Sequence, residues 1–247
     1  MTVKRAAELL SAASKGVAFT GAGTSAESGI PTFRGARGLW TKYDPVKVAS
    51  IDSFLTDPSA YWCVSRETGG IALAARPNPG HHALVALEAA GNLVAVVTQN
   101  TDGLHQDSGC KNVIELHGSS RTVQCLDCGL REPRAVVQAR LAVQMPPICK
   151  SCGSRFLKPT VVLFGEPLPV MAVQVAFTLA RDADVMLVVG SSLVVHPAAD
   201  IPLAAVRSGA RLIIVNAEPT PFDSLAEVVI HGRSGEVLPE ILRLISG

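Results

Sequence analysis

Seven short apolar runs constrain the fold of this chain more than any other feature. They are Val17–Thr20, Leu93–Thr98, Val113–Leu116, Thr160–Phe164, Val185–Val189, Leu212–Val215 and Val228–Ile230, all rich in β-branched residues. Runs this uniformly apolar suit strands covered on both faces, where neither face can carry polar residues. Covering both faces takes crossover helices, and the intervening patterns predict them over 82–90, 170–181, 197–208 and 234–246, with an amphipathic helix over 3–14. The expected fold class is α/β, a mostly parallel sheet with helices on both faces. No internal repeat or low-complexity segment interrupts it.

Two stretches break the rhythm. Residues 27–80 hold glycine, proline and the aromatics Phe33, Trp40, Tyr43, Phe54, Tyr61 and Trp62, without strand alternation. Residues 121–158 hold two CxxC pairs around a helix-like segment, 133–143. Both read as insertions, and together they are expected to form a second, smaller domain beside a sheet domain of 1–26, 81–120 and 159–247. A cleft between the two is the expected ligand site. The chain's 247 residues suffice for one large core with a small satellite.

Composition excludes several classes. Apolar residues at 48% and charged residues at 17% argue against disorder. The 22 basic and 21 acidic side chains give a net charge of +1, so no long-range field draws nucleic acid and no direct binding to it is expected. No apolar run reaches the length of a membrane span. Lys4 and Arg5 ahead of an apolar stretch imitate a secretion leader, but Glu8 and Lys15 interrupt that stretch and no small-residue cleavage site follows. The expected location is a reducing compartment, the cytoplasm, and the expected state a monomer.

The four paired cysteines give the sharpest chemical signal. Cys125-x-x-Cys128 and Cys149-x-x-Cys152 are separated by 20 residues, and a glycine follows Cys128 and Cys152 in each knuckle. Without a secretion leader such pairs favour a metal over disulfides. Four thiolates fill the shell of one tetrahedral zinc ion and leave no place for water, so the metal is expected to be structural. An iron centre or redox thiols are the alternatives. Cys63 and Cys110 read as packing residues.

Three further motifs lie at predicted strand ends. The first strand runs into Gly21-Ala22-Gly23-Thr24-Ser25-Ala26, a GxGxxA turn that suits a pyrophosphate, since glycines let main-chain N–H groups approach it. The same turn also serves as a plain strand-to-helix link. Gly29-Ile30-Pro31 ends the following helix early, so no ribose-binding acid stands about 20 residues on. Asn216 and Glu218, after the strand Leu212–Val215, offer that chemistry or a simple capping turn. The third motif is Thr98-Gln99-Asn100-Thr101-Asp102-Gly103-Leu104-His105 with Glu115-Leu116-His117-Gly118. Asn100 and Asp102 suit a sugar, a carboxamide or an ordered water. His117 is the general-base candidate, because imidazole titrates near neutrality, or else a capping histidine. His105, His81 and His82 read as packing or capping residues, and His196 and His231 carry no further signal.

Together these segments resemble the sirtuin family, of bacterial or archaeal type. The matching stretches are GAGTSAESGIPTFRG (21–35), TQNTDGLH (98–105), ELHGS (115–119), the CxxC pairs, VVLFGE (161–166), GSSLVV (190–195) and IIVNAEPTPFD (213–223), in the family's order. The resemblance implies a Rossmann-like domain, a small zinc domain, and a cleft for NAD and an acyl-lysine peptide. It implies an NAD-dependent protein lysine deacetylase, a transferase in which the acyl oxygen attacks the nicotinamide ribose. Nicotinamide, O-acyl-ADP-ribose and free lysine would be the products.

By position, Gly21, Ala22, Gly23 and Ala26 would hold the pyrophosphate, and Arg34 a phosphate, while Phe33 shields the sugar face. Gln99, Asn100, Thr101 and Asp102 would line the nicotinamide end, and His117 would deprotonate a ribose hydroxyl. Asn100 and Asp102 join it as the implied catalytic set. Gly190, Ser191, Ser192, Asn216, Ala217 and Glu218 would contact the adenosine half, with Ser234 a further cofactor contact. Val161, Val162, Phe164 and Gly165, with Leu193, Val194 and Val195, would wall and pair the peptide as an added strand.

Thr101 departs from the family's usual Ile or Val, which puts the nicotinamide response in doubt. Where family members that remove carboxylated acyl groups carry a Tyr and an Arg, this chain has Ser65 and Thr68, with Tyr61 and Arg66 nearby. An apolar acyl pocket without a guanidinium, and a preference for uncharged acyl groups, is therefore expected. Mono-ADP-ribosyl transfer, a non-catalytic NAD sensor and a zinc-ribbon nucleic-acid module are the competing readings.

Overall fold

The structure is a computed structural model describing residues 2–35 and 38–246. Helix α1 (Thr2–Ser11) leads to β1 (Gly16–Thr20) and the short α2 (Ala22–Ala26). Helices α3 (Pro45–Ala49), α4 (Ile51–Thr56) and α5 (Ser59–Ala74) fill the first break in the strand pattern, and α6 (Pro79–Ala89) returns the chain to β2 (Leu93–Thr98). After α7 (Leu104–Ser108) and β3 (Val113–Glu115) come β4 (Gly118–Cys125), β5 (Arg131–Pro133), α8 (Arg134–Arg140) and β6 (Leu157–Val161). The chain then alternates α9 (Val170–Asp182), β7 (Val185–Val189), α10 (Asp200–Arg207), β8 (Arg211–Asn216), β9 (Val228–His231) and α11 (Ser234–Ser246).

Six strands form one sheet in the order β3-β2-β1-β7-β8-β9, with every pairing parallel. Every residue of β1 and β7 is buried, as their apolar runs require. One face packs Leu10, Leu84, Leu87, Leu238 and Ile241 from α1, α6 and α11. The other packs Ala176, Ala180, Ile201 and Ala205 from α9 and α10 against Phe19, Val188 and Ile214. The winding reverses between β1 and β7, and an open α/β sheet has its ligand crevice beyond the strand ends at that reversal. Among the described residues no helix is long and apolar enough to cross a membrane.

A second sheet, β5-β4-β6, is antiparallel. Its core joins both sequence insertions, since Phe54 and Trp62 pack with Val123, Val137, Leu141, Leu157 and Leu163. Trp62 is fully buried, and its indole N–H donates to the Leu157 carbonyl at 3.0 Å, so α5 is fastened to β6. The strand expected over Thr160–Phe164 instead begins earlier and ends at Val161. Pairing covers Leu157–Val161 in the small sheet, and the chain leaves it before Phe164, which bridges Ser50. A five-residue apolar run cannot announce which sheet it joins. The helices expected over 3–14, 133–143 and 197–208 are shorter, at 2–11, 134–140 and 200–207.

Candidate active site and metal centre

The two CxxC knuckles bring four sulfurs together. All four Sγ atoms lie within 4.8 Å of one another, with Cys125–Cys152 and Cys128–Cys149 each at 3.6 Å. A tetrahedron with Zn–S bonds of about 2.3 Å has edges of about 3.8 Å, so the donor set fits zinc. Gly129 and Gly153 adopt positive φ (75° and 74°) to turn each knuckle, and their N–H groups donate back to the Cys125 and Cys149 carbonyls at 3.0 Å. None of the four cysteines lines the large cavity, which agrees with a structural metal. Cys110 is buried as expected, whereas Cys63 is exposed and is not a packing residue.

The cavity, of about 1320 Å³, opens at the β1/β7 reversal and is roofed by the helices of the first insertion. Its floor is a backbone-to-backbone contact. Gly21 N–H donates to Val189 O at 3.0 Å and Gly23 N–H to Gly190 O at 2.8 Å. A Cβ on Gly23 would lie 2.7 Å from the Gly190 Cα, and one on Gly190 (φ +61°) would lie 2.3 Å from the Thr24 nitrogen. Both glycine N–H groups are thus engaged by the end of β7 and the residue after it, and these glycines contribute close backbone approach where donation to a phosphate was expected. That glycine cradle at a strand-order reversal fits a dinucleotide.

Around this floor a polar network is tied together by Ser25, which is 1% exposed. Its hydroxyl donates to Asp102 Oδ2 at 2.7 Å and accepts from Asn100 Nδ2 at 3.1 Å, while Asn100 Nδ2 also donates to the Gly21 carbonyl at 3.0 Å. Asp102 Oδ1 accepts the Leu104 N–H at 2.9 Å. Gln99 Nε2 donates to Ser191 Oγ at 2.9 Å, linking the ends of β2 and β7. His117 Nδ1 lies 3.0 Å from the Gln99 carbonyl, which can only accept, so Nδ1 carries the proton and Nε2 keeps its lone pair. Burial lowers the His117 pKa, against the raising effect of that carbonyl bond, so the ring is neutral at pH 7.

His105 and His81 are the buried imidazoles. Burial pushes them down to about 3 and about 4. His105 Nε2 lies 2.9 Å from Thr20 Oγ1, and His81 completes the capping box of α6 with Asn78, so both are structural as expected. Glu27 Oε2 accepts from Gly235 N–H at 2.7 Å and Ser234 Oγ at 3.2 Å, holding the start of α11 against the cavity. Phe33 stacks on Trp40 with centroids 5.3 Å apart.

Every sequence-expected cofactor residue lines this cavity, from Gly21, Ala22, Gly23, Ala26, Phe33 and Arg34 through Gln99–Asp102 and His117 to Gly190–Ser192, Asn216–Glu218 and Ser234. Of the peptide-side expectations, Val161, Val162, Phe164, Gly165 and Val195 line it too. Leu193 and Val194 do not. Leu193 is 2% exposed in the core below α9 and α10, and Val194 is exposed outside the cavity. Val162 and Phe164 N–H groups donate to His117 O and Ala49 O, each at 2.9 Å, which fixes this segment from behind as a loop. Sequence reasoning passed over three side chains: Ser25, Glu27 and Arg134. The first two lay inside a quoted motif as polar residues with no role, and Arg134 carried no signal.

The strand order, the glycine-floored crevice and the four-cysteine knot define a class, an α/β protein built to hold a dinucleotide beside a metal-fastened module. The chain belongs to the Sir2 family, which it matches over residues 21–197. It is 50% identical over 240 residues to the "NAD-dependent protein deacylase 2" of Archaeoglobus fulgidus, covering 97% of this chain and 94% of that protein. It superposes with a TM-score of 0.95, at 40% identity and 98% coverage of both chains, on a Sir2 histidine-to-alanine variant with deacetylated p53 peptide and 3'-O-acetyl-ADP-ribose. A Sir2–p53 peptide–NAD+ complex gives 0.91, again at 40% identity and 98% coverage of both chains.

Proposed function

We propose that this protein is an NAD-dependent protein lysine deacetylase, or deacylase, releasing nicotinamide, O-acyl-ADP-ribose and free lysine. The observation that carries the reading is His117, a neutral, half-buried imidazole that lines the cavity with the Ser25–Asn100–Asp102 network, with Nδ1 held by a carbonyl and Nε2 available as a base.

NAD, when bound, supplies an electrophilic ribose carbon and nicotinamide as leaving group. The chain's residues do the rest. Asp102 and Asn100, held by Ser25, orient the nicotinamide end, and the side-chain-free surface formed where Gly21 and Gly23 close on Gly190 lets the pyrophosphate lie against the backbone. Asn216 and Glu218 take the adenosine half. His117 Nε2 accepts the proton of the ribose hydroxyl that attacks the acyl carbon, and a water molecule then supplies the oxygen that replaces the departing lysine nitrogen. Phe33, stacked on Trp40, covers the sugar face and excludes water. The position of Val161, Val162, Phe164, Gly165 and Val195 along the cavity supports reading acyl-lysine proteins as partners, with the peptide entering there as an added strand. Cys125, Cys128, Cys149 and Cys152 would hold a zinc ion that fastens the module carrying β4 and β6. The two cores of the sheet and the third core of the small unit support the division into two domains. The CxxC chemistry supports a reducing compartment, the cytoplasm, the net charge of +1 supports the reading without direct nucleic-acid binding, and we read the chain as a monomer.

The experiment is nicotinamide release from NAD with and without an acetyl-lysine peptide. Release that needs the peptide and yields acetyl-ADP-ribose supports deacetylation. Release with an unacetylated acceptor that becomes ADP-ribosylated supports the transferase alternative, and NAD binding without release supports a sensor.

A further inference from the structure

One wall of the cavity is formed by α5, through Tyr61, Ser65, Thr68 and Gly69, and by Arg134 at the start of α8. Arg134 is 3% exposed and lies 5.0 Å above the Trp62 ring. Its Nη1 donates to Ser65 Oγ at 3.0 Å, its Nη2 to Ser65 O at 2.6 Å and Gln138 Oε1 at 2.7 Å, and its Nε to Gln138 Oε1 at 3.3 Å. A Cβ on Gly69 would fall 2.0 Å from Nη2, so this glycine makes room for the guanidinium.

Every one of those acceptors is neutral. Among the described residues no carboxylate pairs with Arg134, and the Tyr61 phenol is the ionisable neighbour that favours its charge against burial. The guanidiniums that do form ion pairs, such as Arg121 with Asp107 and Arg140 with Glu132, lie nearer to solvent. A buried ion ordinarily carries a counter-charge. Bridging α5 to α8 needs only donors, which a neutral amide supplies, so the bridge leaves the positive charge unused. A guanidinium has five N–H protons, and four contacts are made, which leaves one for a ligand.

We propose that Arg134, flanked by the Ser65 and Thr68 hydroxyls, makes the α5 wall of the cavity a subsite for an acyl-lysine tail that ends in a carboxylate. This rests on the deacylase reading above and names a substrate class for it. It reverses the expectation from sequence, which found no guanidinium at the pocket because the helix positions are Ser65 and Thr68. Arg66 is exposed and does not line the cavity. The cation comes instead from the metal-held module, and its planar fork is the partner a carboxylate prefers.

The test is a ladder of peptides differing only in the acyl group. Malonyl, succinyl, glutaryl and adipoyl are each set against the methyl-ended group of equal carbon count, from propionyl to hexanoyl. Wild-type protein and Arg134→Met, both zinc-loaded, are assayed at saturating NAD. At one length or more, the wild-type kcat/KM for the carboxylate-ended peptide should come within about 10-fold of its partner's. Arg134→Met should lower that ratio by at least about 10-fold, the loss of one strong ionic contact. Because each ratio is taken within one protein, a general loss of activity does not move it. Wild-type ratios below about one-tenth at every length overturn the subsite, as does a ratio that Arg134→Met leaves in place. Should Arg134→Met fail to fold, the wild-type ladder decides alone. Turnover of neither peptide class would mean that the deacylase reading itself has failed, and this proposal with it. Turnover of methyl-ended peptides alone overturns only the subsite.

Discussion

The Nδ1 of His117 lies 3.0 Å from the main-chain carbonyl of Gln99, and this one contact fixes which nitrogen of the ring is basic. The carbonyl belongs to the residue whose side chain reaches Ser191 at the end of β7, so base and cofactor floor share one backbone segment. His117→Ala should therefore give folded protein that still binds NAD and deacetylates at least ~100-fold more slowly, the scale for losing a general base. Near-normal turnover measured with acetyl-peptide would reject the assignment.

The same residue sets a pH dependence. Burial lowers the His117 pKa, so the basic form persists below the ordinary imidazole value of 6.5. The kcat/KM profile should be level through neutrality and fall only on the acid side of about 6.5. An acid limb centred above neutrality would contradict it.

Ser25→Ala removes the hydroxyl shared by Asp102 and Asn100. Nicotinamide exchange should fall with it, as it should in Asp102→Asn, while the affinity for ADP-ribose changes less. Exchange kinetics identical to wild type in both variants would remove this network from the nicotinamide end. In Gly23→Ala the new Cβ meets the Gly190 backbone at 2.7 Å, and a clash of backbone with backbone costs roughly 1–3 kcal/mol. A urea midpoint equal to wild type would show that the crossing can open.

His81 and His105 should make stability depend on acid. Both are held neutral, at about 4 and about 3, while the unfolded chain protonates near 6.5. Between those values the unfolded state binds more protons, so stability is full above 6.5 and is lost as pH falls towards 4. Cysteine protonation also weakens the metal site in that range. The check is therefore the difference in urea midpoint between pH 7 and pH 5 for wild type and for His105→Gln, which should show the smaller drop.

One zinc per chain should be found by elemental analysis, and Cys125→Ala or Cys149→Ala should cost folding, since site formation is coupled to the fold. Soluble, active, metal-free protein from either variant would remove the structural role.

Much of this was legible in the residues because it follows from local pattern. Leu93–Thr98 and Val185–Val189 are strands to the residue, since a run apolar on both faces has few other solutions. The four cysteines read directly from spacing. Thr160–Phe164 misled, because apolar content does not encode strand direction. Leu193, expected among the residues that wall and pair the peptide, lies in the core, since a loop's inward and outward residues follow no period. Ser25 and Arg134 were passed over for a different reason. Their meaning lies in partners 77 and 69 positions away in the chain, and only folding brings those together.

The indole bond from Trp62 to Leu157 has a mechanical corollary. The cofactor side of the cleft hangs on the parallel sheet, which keeps its shape through its own ladder. The helix that walls the opposite side is moored to β6, whose sheet neighbour β4 ends in Cys125, a ligand of the metal knot. Extracting the ion would then blunt the protein's discrimination between acyl groups before it dulled its grip on the nucleotide. The chelator concentrations at which those two properties fade should be separate.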